Sequence, residues 1–179
     1  MRHVPYAVWL VINALFFTGA YWLYHSGVVQ RLWMVDEHYV LTTMVSWFLV
    51  ATMWTGYAAW RIPVDGATVS KRRLSFTAYS AQTMLNLGLF GTTLGFIAML
   101  TAAFVGRDYV DAATFKSVLP LVGSYWAMAL YSTCSAIGLG IVLMTESFVL
   151  RYITEVLEQI DEERAFEAMQ ADMVNKFGV

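Results

Sequence analysis

Four long stretches of the chain contain no Asp, Glu, Lys or Arg: residues 4–30, 38–60, 74–106 and 117–145. A helix needs roughly 20 residues to cross about 30 Å of hydrocarbon, so each stretch is long enough to span a membrane. Polar backbone in lipid must be bonded within the protein, which makes helices the natural form of such segments. The expected fold is therefore all-α: a polytopic membrane protein with four transmembrane helices over about residues 6–24, 40–60, 84–105 and 119–144. The last two are long and should extend into the cytoplasm. Tyr21, Trp22 and Tyr24 close the first span and Trp60 the second, the headgroup-level placement that amphipathic rings favour.

Composition agrees. The 179 residues are 59% hydrophobic and 13% charged, against about 45–50% and 25% in soluble domains. Of the charges, 13 fall in the first 145 residues and 11 from Glu146 onward. The chain thus divides into a membrane domain, residues 1–145, and an acidic amphipathic tail helix, residues 146–179, continuing the fourth span. Abundant aromatics exclude disorder, and a single cysteine, Cys134, excludes a disulfide framework. A net charge of -2 gives nucleic acid nothing to bind. Thr18-Gly19-Ala20 resembles a leader cleavage site, but the apolar run before it outlasts a usual signal-peptide core, so it is read as a span.

Orientation follows from lysine and arginine. With the N-terminus inside, the cytoplasmic segments hold Arg2, Arg61, Lys71, Arg72, Arg73, Arg151, Arg164 and Lys176. The outer loops hold only Arg31, Arg107 and Lys116. A multi-pass protein of the inner (cytoplasmic) membrane with both termini cytoplasmic is expected. The third stretch, about 50 Å long as a helix, exceeds the membrane by several turns. No proline or glycine interrupts residues 141–177, so the fourth helix can run on into the tail. There Val149, Ile153, Val156 and Ile160 form an apolar stripe suited to packing on another helix, and the phase is lost after Ile160.

In lipid, close helix contact relies on small side chains. The third span carries Gly88, Thr92, Gly95 and Ala102 on one face with Gly91 beside it, and the fourth carries Ala129, Thr133, Ala136 and Gly140. Each face is nearly bare apart from one hydroxyl. For such a threonine, plain packing with the hydroxyl on its own i−4 carbonyl competes with a functional role.

The run Gly88-Leu89-Phe90-Gly91-Thr92-Thr93-Leu94-Gly95-Phe96-Ile97 resembles the G-L-[LF]-G-T-V-x-G-[IM] signature of the MotA/TolQ/ExbB proton-channel family. Ala129-Leu130-Tyr131-Ser132-Thr133 is similar to that family's A-L-x-x-T. The resemblance covers about residues 85–146. It implies a homopentamer around a dimer of a single-span ExbD/TolR/MotB-like subunit with a membrane aspartate, converting proton motive force into rotation or movement of that partner. It also implies that Thr92 and Thr133 line the ion path, with Thr93, Asn86 and Glu146 as further residues of the path or its mouth. Gly88, Gly91, Gly95, Ala129, Ala136 and Gly140 would be the helix-packing and partner-facing positions. Met128 stands where the family has a glutamate, and the large cytoplasmic domain between the second and third spans is reduced to about residues 61–73.

None of the spans has an ionisable residue near its centre, and a proton path normally requires one. Another chain is expected to supply it. Glu146, the nearest carboxylate, suits an exit, although its plainer reading is the first solvated residue of the tail. His25, Asp36, Glu37 and His38 read as interfacial polar groups in preference to a metal site. No catalytic triad, zinc motif or P-loop occurs, so neither enzymatic chemistry nor a cofactor is expected. Two other readings fit the small-residue faces: a holin-like pore, open without a partner, and a non-conducting membrane scaffold.

Overall fold

The computed structural model describes residues 4–27, 30, 40–65, 67–104 and 112–177. Within them the chain forms α1 (Val4–His25), α2 (Val40–Asp65), α3 (Ala67–Phe104) and α4 (Ala112–Phe177). Among the described residues, three helices are long and apolar enough to cross a membrane: α1, Val69–Phe104 of α3 and Val118–Met173 of α4. The chain is thus a helical, multi-pass membrane protein by length and composition. α2, at 26 residues, has the length, but Thr42, Thr43, Thr52 and Thr55 and three tryptophans lower its hydropathy.

α3 and α4 form the central antiparallel pair, and its seam is where the small residues lie. A methyl group on Gly88 would collide with the side chain of Ala136, and one on Gly95 would come within 2.8 Å of Ala129 Cβ. On Gly91 it would meet Ser132 and Val40, both at 2.8 Å. Ala129 and Ala136 are buried, as is Gly140, whose neighbours are Ala81 and Leu85. These small residues therefore serve α3–α4 packing within one chain, and their faces are covered there.

α2 lies along this pair. Val40, Met44, Phe48 and Ala51 join Ala81, Met84, Ala136 and Leu143 in the main apolar core. Trp54 Nε1 donates to the Arg73 carbonyl at 3.3 Å, and the Arg73 guanidinium sits 5.5 Å from the centre of the Tyr57 ring. α1 is the outermost element, with Leu10, Val11, Leu15, Phe17, Tyr21 and Trp22 exposed. It meets α2 where Trp9 lies against Gly56 and Phe16 packs on Phe48, ring centres 4.9 Å apart.

The junction of α2 and α3 departs from the expected layout. α2 continues to Asp65 and α3 begins at Ala67, so the short connection expected over residues 61–73 is nearly all helix. The lower part of α3 packs rather than standing free: Leu74 is fully buried with Ala58, Ala59 and Leu150. α4 runs unbroken through the tail, as the absence of proline and glycine implies. The buried seam of the tail is Leu150 and Thr154, and the Val149, Ile153, Val156 and Ile160 stripe is only half-buried beside it. Hydropathy spacing passes over Thr154, whose hydroxyl donates to the Leu150 carbonyl at 2.8 Å and is thereby suited to burial. Lys71 of α3 pairs with Glu158 of α4, and residues 161–173 are exposed.

Candidate functional site

Two polar features interrupt this apolar bundle. The first is the contact between Thr92 and Thr133, whose hydroxyls hydrogen-bond each other across the α3–α4 seam. Gly88 and Ala129, one turn before each, let the backbones approach closely enough for this. Thr92 Oγ1 also reaches the Gly88 carbonyl at 2.9 Å and the Ala129 carbonyl at 3.3 Å, and Thr133 Oγ1 reaches the Ala129 carbonyl at 3.3 Å. Both threonines are half-buried. The two hydroxyls and two carbonyls make a small polar cluster that can accept and donate but not titrate.

Beside this cluster the outer face of α3 carries Gln82, Asn86 and Thr93, all exposed. The Thr93 hydroxyl returns to the Leu89 carbonyl at 2.9 Å, on a face that also shows Leu89 and Phe90. In hydrocarbon an exposed amide lacks partners at a cost of several kcal/mol, about the penalty for any unsatisfied polar group there. The strip is therefore suited to a neighbouring protein or a water-filled path.

The second feature lies toward the other end of the bundle. Glu146 is fully buried, and Asn13 Nδ2 donates to its Oε1 at 2.7 Å. The solvated position expected for Glu146 is thus corrected: α1 covers it. The Thr55 hydroxyl lies in the same layer, donating to the Ala51 carbonyl at 2.8 Å and meeting Thr77 Oγ1 at 2.8 Å. Ser147 is buried alongside. Each helix contributes a polar side chain to this layer. Thirteen residues of α4 separate it from Thr133, roughly 20 Å along the axis.

The sequence singles out Thr92 and Thr133 as the polar points of two small-residue faces, and the structure packs those faces on each other; Asn86 and Thr93 lie on an open face. Sequence reasoning misses Asn13, Thr52, Thr55, Thr77 and Ser80. The available signal was Asn13, a lone amide midway along an apolar run, where polar groups in membrane helices usually seek a partner on another helix. Met128, at the family's glutamate position, is buried and apolar. Of the polar cluster formed in sequence by His25, Asp36, Glu37 and His38, His25 is exposed with its ring against Tyr21; the other three lie outside the described residues. No protein-family model, curated protein or solved structure matches the chain.

Proposed function

We propose that the chain is the larger subunit of an ion-driven stator of the MotA/TolQ/ExbB type. It crosses the inner membrane four times with both termini cytoplasmic, and five copies surround a dimer of a single-span subunit with a membrane aspartate. Ions, most simply protons, pass the Thr92–Thr133 cluster and drive movement of that dimer. The observation carrying this reading is the meeting of the two threonines, each from one of the two motifs that resemble the family, on a flank next to an exposed polar strip. The glycine and alanine positions hold the α3–α4 pair that presents the hydroxyls, and Thr93 and Asn86 extend the path. Neither hydroxyl can carry charge across the membrane, so the partner's aspartate supplies the group that titrates there.

Reconstitution with the partner subunit tests this reading. Proton uptake driven by an imposed gradient is expected, with Thr133→Val reducing it by about tenfold or more; undiminished flux in that variant overturns the path. Native purification is expected to give five copies with two of the partner. The mutual hydrogen bonding of Thr92 and Thr133 also favours a second reading, a non-conducting scaffold. It is distinguished by full retention of function when both threonines are replaced by valine.

A further inference from the structure

The polar layer around Glu146 holds more oxygen atoms than it holds hydrogen-bond partners for them. Asn13 spends its amide donors on the Trp9 carbonyl, at 3.0 Å, and on Glu146 Oε1, at 2.7 Å. That leaves Asn13 Oδ1 without a partner, and Glu146 Oε2, Thr52 Oγ1 and Ser80 Oγ are likewise unpartnered and buried. The four residues are 4% exposed or less. Buried polar groups are nearly always satisfied, so four orphaned oxygens in one region indicate something that the protein atoms alone do not supply.

Helix register brings them to one level. Trp9 opposite Gly56 and Phe16 opposite Phe48 set the antiparallel pairing of α1 and α2, and that pairing puts Asn13 opposite Thr52. The Thr55–Thr77 hydrogen bond sets the pairing of α2 and α3, which puts Thr52 opposite Ser80. The Asn13–Glu146 bond ties α4 to the same level. The four orphaned atoms at this level are oxygens, the ligand type that hard cations prefer, whereas the indole nitrogens of Trp9 and Trp47, also buried without a partner, lie about a turn away along their helices. No charged side chain stands at this level on α1, α2 or α3. The nearest cations are Arg61 on α2, Arg73 on α3 and Arg151 on α4, each about a turn or more inward along its helix.

We propose that this layer is a cation site inside the single chain, in which Glu146 with the oxygens of Asn13, Thr52 and Ser80 holds one hard monovalent cation, sodium or a proton. It draws only on this chain's own residues and holds whether or not the conducting assembly proposed above forms. It also places an ionisable group within the bundle, where the sequence alone shows none.

The test is labelling of the full-length protein in native membranes with N,N′-dicyclohexylcarbodiimide, an apolar reagent that adds to the protonated carboxyl group, read by mass spectrometry of the Glu146 peptide. For a proton site the adduct is expected at Glu146, declining as pH rises and indifferent to sodium chloride. For a sodium site it is expected to be suppressed by sodium chloride but not by choline chloride. No adduct at Glu146 at any pH, or one formed no more readily than at exposed Glu163, overturns the proposal. Thr52→Val and Ser80→Ala keep the shape of the layer and remove its orphaned oxygens. Each is expected to move the midpoint by about tenfold in cation concentration, one pH unit for a proton. Unchanged midpoints in both variants, with thermal unfolding preserved, overturn the assigned ligand set.

Discussion

At the scale of single residues, the glycines and Asn13 do the most to determine the bundle, and for opposite reasons. Gly88 works by having no side chain where Ala136 presses against α3. Gly88→Val is expected to lower stability by about 1–3 kcal/mol through overpacking. Gly138, with nothing within 4 Å of an added methyl, provides the contrast. Gly138→Ala should stabilise α4 by up to about 1 kcal/mol through helix propensity alone. Thermal unfolding in detergent reads both, and equal effects would show that the α3–α4 seam is not as tight as described. Asn13 works by what it donates. Asn13→Leu leaves Glu146 buried without its amide, at a cost of about 1–3 kcal/mol. Replacing both residues by leucine is expected to recover much of that loss, because the penalty belongs to the unpartnered group and not to the missing bond. A double-mutant cycle with no coupling would mean that the carboxyl group finds another partner.

At the scale of helices, charge-free runs locate the elements well because avoidance of charge in lipid is a strong and local constraint. They locate the ends poorly. Arg61, Lys71, Arg72 and Arg73 mark where α2 and α3 leave the apolar region, but a helix continues through charged residues wherever its partner helix does, so α2 and α3 meet almost end to end. Glu146 was misread for a related reason. A carboxylate at the edge of an apolar run looks the same in sequence whether water or an asparagine from another helix solvates it, and only the α1–α4 contact decides. The two faces that carry Thr92 and Thr133 are legible because small residues and a hydroxyl recur at helical spacing on each helix, but that the hydroxyls meet each other follows only from the α3–α4 packing. In the tail, the apolar stripe was off by one residue, since periodicity counts Val149 and Ile153 and passes over Thr154. The structure makes a specific demand here: Leu150→Ala is expected to cost about 2–5 kcal/mol, and Val149→Ala clearly less. Deleting residues 161–179 is expected to leave the unfolding temperature nearly unchanged, because residues 161–173 are exposed. Comparable losses from Leu150→Ala and Val149→Ala would shift the seam back to the stripe expected from hydropathy.

At the scale of the whole molecule, the chain leaves a polar strip uncovered on a helix long enough to cross a membrane, and that strip is what most supports the proposed assembly. Leu10, Leu15 and Phe17 of α1 are exposed too, but they suit lipid as they stand. Gln82 and Asn86 do not, and they lie between the Glu146 layer and the Thr92–Thr133 cluster along α3. If copies of this chain gather around a conducting path, the strip faces water or a neighbouring chain and α1 faces lipid. Introducing single cysteines into a Cys134→Ala background separates the two faces. A water-soluble, membrane-impermeant maleimide applied to native membranes opened to both sides is expected to modify Asn86→Cys and Thr93→Cys, and to leave Leu15→Cys untouched. An oxidant is expected to cross-link copies through the α3 positions and not through α1, wherever neighbouring chains meet on that strip. Modification of Leu15→Cys with protection of both α3 positions, and no cross-linking, would reverse the assignment. α1 would then line the aqueous surface, and the conducting assembly would lose the face on which it is built.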